Sequence, residues 1–170
     1  KMKQFKHLIL AFVLTFGAVA FSQAQSKVAH IASQELIEAM PGYKTAMSDL
    51  EQLQNTYDAE IKTMMTEFQN TYKTYSQEAA SKTDEENAKR SQEMQATEQT
   101  IGQYRQNALQ DLQKKEVELL KPVYERARTA VQKVARAKGF DYVIDSTTGT
   151  GVILADGYDL MADVKKDLGI

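Results

Sequence analysis

Between Tyr43 and Ala80 the chain contains neither glycine nor proline, and its apolar and aromatic residues recur on a helical period. They fall at Tyr43, Met47, Leu50, Tyr57, Ile61, Met64, Phe68, Tyr72, Tyr75 and Ala79, in steps of three, four or seven. A period near 3.5 predicts one unbroken helix packed along its length against another. The polar run Ser81-Lys82-Thr83-Asp84 then turns the chain, and Thr83 and Glu86 are spaced as a capping box for a return helix. That return runs from Asp84 to about Lys138 and stops at Gly139, a natural left-handed C-terminus. Its seam includes Met94, Ile101, Ala108, Leu112, Leu119, Val123, Ala127, Ala130 and Val134. Near the turn the sequence is polar (Gln92, Gln95, Gln99, Gln103, Gln106), which predicts a tip less stable and more mobile than the base. Pro122 lies inside the second helix, where it removes one backbone hydrogen bond. It either kinks the hairpin near its base or is accommodated with little bend. Arms of about 40 residues reach about 60 Å. Two such helices cannot bury all their faces on each other, so the free faces are solvated or bind something.

Both flanks of this hairpin read differently. Lys27 to Ala32 (KVAHIA) alternates like a strand, Ser33 is placed to cap a short helix over Gln34 to Met40, and Pro41-Gly42 marks a break. After Gly139 the period switches to two. Phe140 to Asp145 (FDYVID) and Gly151 to Ala155 (GVILA) read as strands joined through Ser146 to Thr150 as a hairpin, and Asp159 to Leu168 closes as a short amphipathic helix. The fold class is therefore α+β, mostly α: an antiparallel coiled-coil arm over 43–138 on a small β-rich body from 25–42 and 139–170. Three short strands leave apolar edges uncovered. Self-association through Val28, Ile31, Val143, Ile144, Val152, Ile153 and Leu154 is the economical way to complete such a body.

Residues 1–24 read as a signal peptide. Lys1, Lys3 and Lys6 precede an apolar run of 14 residues from Leu8 to Phe21, and Ser22-Gln23-Ala24 supplies small residues for cleavage. The run is short for a bilayer span, which takes roughly 20 residues, so an uncleaved anchor is the lesser alternative. Without its three lysines the exported form, starting near Gln25, has 18 basic against 23 acidic residues, a net of −5. That balance argues against nucleic acid as a partner. The chain has no cysteine and only His7 and His30, which leaves no material for a disulfide framework, a thiolate metal site or a lipidated cysteine. No cofactor, metal or enzymatic activity is expected. Gly149-Thr150-Gly151 reads as a turn and lacks the Gly-Lys-Ser/Thr of a phosphate loop, and Asp141, Asp145 and Asp156 read as residues flanking strands.

The stretch Leu119 to Asp145 (LLKPVYERARTAVQKVARAKGFDYVID), with VILAD and DLMADVKKDLG after it, resembles the C-terminal part of the Skp/OmpH family. The opening KVAHIASQELIEAMPGYKTAMSDLE resembles that family's first strand and helix, while the arms match by pattern only. The resemblance implies a homotrimer with a central β-barrel body and three helical tentacles around a cavity. It further implies a periplasmic chaperone that holds unfolded outer-membrane β-barrel proteins without nucleotide, with no stable membrane insertion. On that reading Met64, Met65, Phe68, Tyr72 and Tyr75 are the candidate client contacts, since methionines and aromatics give adaptable apolar contact. Met65 lies off the strict seam. The best-known members are strongly basic, so the net −5 does not carry over charge attraction of clients or lipopolysaccharide. One local exception is Lys114 to Lys138, where Lys114, Lys115, Lys121, Arg126, Arg128, Lys133, Arg136 and Lys138 oppose Glu116, Glu118 and Glu125; a solvated helix face is the stronger reading of it, and contact with acidic clients near the body the weaker. The rival reading is an exported coiled-coil spacer or adaptor, which favours a tightly apolar seam throughout.

Overall fold

The computed structural model describes residues 26–170; the expected signal peptide, residues 1–24, lies outside them. Strand β1 (Val28–Ile31) leads into helix α1 (Ser33–Ala39), and the chain then enters the first arm helix α2 (Pro41–Glu78). A short 3-10 turn (Ala79–Ser81) reverses it into the second arm helix α3 (Asp84–Ala137). Strand β2 (Tyr142–Asp145), strand β3 (Tyr158–Asp159) and helix α4 (Met161–Leu168) complete the body.

The turn forms as its residue types dictate. Thr83 accepts a hydrogen bond from the Glu86 backbone while the Glu86 carboxylate accepts one from the Thr83 backbone, so the capping box closes in both directions. Asn87 adds a bond to the Ala79 carbonyl at 3.0 Å, tying the new helix to the end of the old one. Pro41 does not break the chain after α1; it sits at the start of α2, where its missing N–H has no partner to lose. The break falls one residue earlier, at the extended Met40. Pro122 lies within α3, which continues through it, and Gly139 takes φ 74° just past the end.

The sheet departs from the sequence expectation. Its order is β2-β1-β3, and β1 runs parallel to both neighbours, with Val28 opposite Tyr142 and Ala29 opposite Tyr158. Residues Gly151–Ala155 are not a strand and form no hairpin with Phe140–Asp145; the third strand is Tyr158–Asp159. Geometry explains the error. Two strands parallel to a common neighbour are parallel to each other, and parallel strands need a crossover of about a dozen residues instead of a tight turn. Residues 146–157 serve as that crossover, with Gly149 and Gly151 at φ 92° and 90° reversing its direction. The whole helical arm is the other crossover, from β1 to β2.

The core lies where the base of α3 meets the sheet and the short helices. Ala29 and Ile31 from β1, Leu36 and Ile37 from α1, and Leu160 and Val164 from the C-terminal segment enclose Val123, Ala127, Ala130 and Val134 of α3. Leu36, Leu160 and Val164 are fully buried. The alternation read in KVAHIA is realised, with Ala29 and Ile31 turned inward. Ser33 is not the cap of α1 but its first residue, and its side chain reaches across to β2.

Candidate functional site

The body is tied at one carboxylate. Asp145, at the end of β2, accepts hydrogen bonds from the Ser33 hydroxyl, from the Ser33 backbone at 3.1 Å, and from the Thr147 backbone and hydroxyl at 2.9 and 2.6 Å. Burial alone would raise its pKa, but the hydrogen bonds from Ser33 and Thr147 outweigh that and hold it down at about 2. The tie joins segments 112 residues apart in sequence and fixes the root of the arm.

Along the arm, cross-links between α2 and α3 are largely polar. Tyr57 donates to Asp111 at 2.7 Å, Tyr104 donates to Glu60, and Tyr75 donates to Glu93 at 3.0 Å. The bond to Asp111 raises the Tyr57 pKa, and the bond to Glu93 raises that of Tyr75. Nearer the turn Arg90 pairs with Glu78 at 2.6 Å and lies 4.4 Å from the centre of the Tyr75 ring. Tyr57–Asp111, Tyr75–Glu93 and Glu78–Arg90 are placed symmetrically about the same turn, so these polar pairs and the apolar seam specify one register.

The candidate client contacts separate into two groups. Met64, Met65, Phe68 and Tyr75 are half-buried between the helices, so seam packing occupies much of their surface. Tyr72 is 61% exposed and faces away from the seam, where the sequence reading had placed it, as is Met47; Ala46, Leu53 and Thr71 take the inward positions instead. The candidate oligomerisation residues also divide. Ile31 is buried in the chain's own core and Val143 packs against it, while Val152 is half-buried. Val28 and Ile144 are exposed, and Leu154 and Ile153 are 74% and 100% exposed. An open groove beside β2, lined by Ile31, Leu36, Tyr124, Val131, Phe140 and Val143, runs up onto the base of α3.

The sequence reading passed over Leu109, Val117 and Tyr124, large apolar side chains exposed on α3. The seven-residue step from Val117 to Tyr124 to Val131 was the available signal, since it repeats at a phase different from the seam.

Exposed apolar side chains thus line a long helical hairpin rooted in a small sheet. Residues 27–168 match the family model described as Outer membrane protein (OmpH-like), and the chain belongs to this OmpH-like chaperone family. It is similar to the chaperone protein Skp of Photorhabdus luminescens, with 26% identity over 136 residues covering 78% of this chain and 82% of the relative. In fold it matches the crystal structure of a putative outer membrane chaperone (OmpH-like) from Caulobacter crescentus, with a TM-score of 0.75 over 86% of each chain at 19% identity. No described helix is long and apolar enough to cross a membrane.

Proposed function

We propose that this protein is a nucleotide-independent holding chaperone of the periplasm that binds unfolded outer-membrane β-barrel proteins and keeps them from aggregating. The observation that carries the reading is an arm of 38 and 54 helical residues that holds itself together along one seam and leaves its lateral faces free. An unfolded β-barrel exposes alternating apolar side chains and unpaired strand edges, which aggregate. Many weak, adaptable contacts on a long arm cover such a chain without selecting one sequence. Family membership and the similarity to a chaperone support the same reading.

The active form is a homotrimer assembled through the body. Strand β2 is an edge of the sheet, and residues 152–156, which belong to no strand among the described residues, expose Ile153 and Leu154. Adding one copy's 152–156 segment beside the next copy's β2 is a head-to-tail contact, which closes into a ring when its rotation fits. The test uses residues 25–170. A urea-denatured outer-membrane β-barrel protein is diluted into buffer with and without the chaperone, without nucleotide, and light scattering is followed. Suppression near one trimer per client, with a trimeric mass by light scattering, is expected. Undiminished aggregation at excess chaperone would overturn the holdase reading, and a monomeric mass would overturn the assembly.

A further inference from the structure

Strand β1 is the middle of the sheet, and its residues alternate between two faces. On one face Ala29 and Ile31 are buried in the core, with Val143 of β2 packed against it. The opposite face carries Val28 and His30 of β1 with Tyr142 and Ile144 of β2, in register as Val28–Tyr142 and His30–Ile144. Val28, Tyr142 and Ile144 are exposed. His30 sits among them half-buried, with its Nδ1 3.1 Å from the Ser146 hydroxyl. Residues 25–170 contain no other histidine, because His7 falls in the expected signal peptide.

A second copy is the occupant this face fits. The segment proposed to join β2 of the next copy, residues 152–156, lies in sequence between β2 and β3 of the same sheet. Joining sheets edge to edge in a ring closes them into a barrel with one face inside. The core face carries α1 and the root of a helical arm of 38 and 54 residues, which no barrel of short strands can enclose. The face with His30 therefore turns toward the ring axis. Interiors of small barrels are filled by side chains, so water is excluded there.

From this placement we infer that His30 is a pH-sensitive gate on self-assembly: copies join with the imidazole neutral and separate when it is protonated. This rests on the assembly reading above. A neutral imidazole enters the interior with its contact to Ser146 kept. Protonation turns both ring nitrogens into donors and adds a charge, which burial among Val28, Tyr142 and Ile144 disfavours. Every copy brings the same residue, so like charges also gather around one axis. Asp159, in register with His30 on β3, is the carboxylate that would offset the charge, but its Oδ1 accepts the Met161 N–H at 2.8 Å and is held toward the start of α4. On β2 the flanking groups are the Tyr142 phenol and the Ser146 hydroxyl, and on the crossover Asp156 adjoins Gly157, which packs beside the ring. Histidine is the side chain that changes charge between about pH 5 and 8. Separated copies bind the proton better than assembled ones, so assembly is full at the alkaline end of that range and is lost as pH falls.

The test measures the mass of residues 25–170 by light scattering over a dilution series at about pH 7.5 and about pH 5.5. His30→Gln, which stays neutral and keeps a polar partner for Ser146, and His30→Ile, which extends the apolar face, are run beside the parent. Each imidazolium is expected to weaken its copy's contribution about tenfold, hence the trimerisation constant about a thousandfold and the concentration at half-assembly about thirtyfold. The parent should show that rise at the lower pH, while His30→Gln assembles equally at both. Should His30→Gln fail to assemble at pH 7.5, His30→Ile decides in its place. A parent with the same half-assembly concentration at both pH values overturns the inference and leaves the assembly standing. A neutral variant that dissociates in acid as the parent does overturns it too, because the response would not belong to His30. A parent that is monomeric at pH 7.5 removes the assembly itself.

Discussion

The base of the hairpin and its distal half use the same helix pair for opposite ends. At the base, α3 inserts Val123, Ala127, Ala130 and Val134 into a core closed by Leu36, Leu160 and Val164. Toward the turn, the inward positions of α3 are Asn87, Arg90, Met94 and Thr97, none of them fully buried, and much of the connection to α2 is made by tyrosine–carboxylate pairs and the Arg90–Glu78 bridge. Apolar burial stabilises in proportion to area, whereas exposed polar pairs contribute little net free energy. The comparison teaches that one continuous hairpin can be anchored firmly at its root and held pliably at its tip. Pliability there suits the client holding proposed above.

Truncating the root breaks this contrast most severely. Leu160→Ala empties a fully buried site and is expected to cost about 3 kcal/mol in urea unfolding, whereas Met94→Ala in the distal seam costs less than about 1 kcal/mol. Equal costs would erase the difference between root and tip.

Next comes the Asp145 tie, whose loss should cost about 2 kcal/mol in Asp145→Ala, as expected for hydrogen bonds to a charged group. Its folded pKa of about 2 lies below the ordinary 3.8. The carboxylate therefore contributes stability that is fully present above pH 3.8 and is lost as pH falls from there toward 2. Unfolding followed from pH 6 to pH 2 should show a decline below pH 4 that is shallower in Asp145→Ala; parallel curves would show that the tie carries no linkage.

Smaller still, Thr83→Ala removes one half of the capping box and should cost about 1 kcal/mol. The loss should stay local, as faster amide exchange near the turn with the melting of the body unchanged. The smallest effect sharpens the contrast from the other side. Arg90 occupies a seam position, and its buried Nη1 has no hydrogen-bond partner among the described residues. Arg90→Leu replaces an incompletely satisfied charge with apolar contact and should slow amide exchange over residues 75–95, by up to about 1 kcal/mol in local opening energy. Faster exchange there would mean that the Arg90–Glu78 bridge and its ring contact contribute more than apolar packing can.

The arm was largely legible in the sequence. Period, turn and cap are local signals, and Thr83 and Glu86 form the capping box their spacing announces. The inward faces were less legible. Met47 and Tyr72 were assigned to the seam by hydrophobicity, yet Ala46 and Thr71 lie inward there, because helix phase and not residue type decides which side meets the partner. In the body, Gly151–Ala155 has every local mark of a strand, and no local signal distinguishes a hairpin strand from a crossover segment.

What the sequence determined by itself was the long hairpin: helix period, absence of breakers and a capping box all act within a few residues and need no distant partner. What only the tertiary structure decided was the sheet. Strand β1 pairs with residues more than a hundred positions away, and once it lies parallel between β2 and β3 the intervening segment has to cross over. Pairing direction is a long-range choice, set by how the arm returns the chain to its root, and Val152 to Ala155 could not encode it alone.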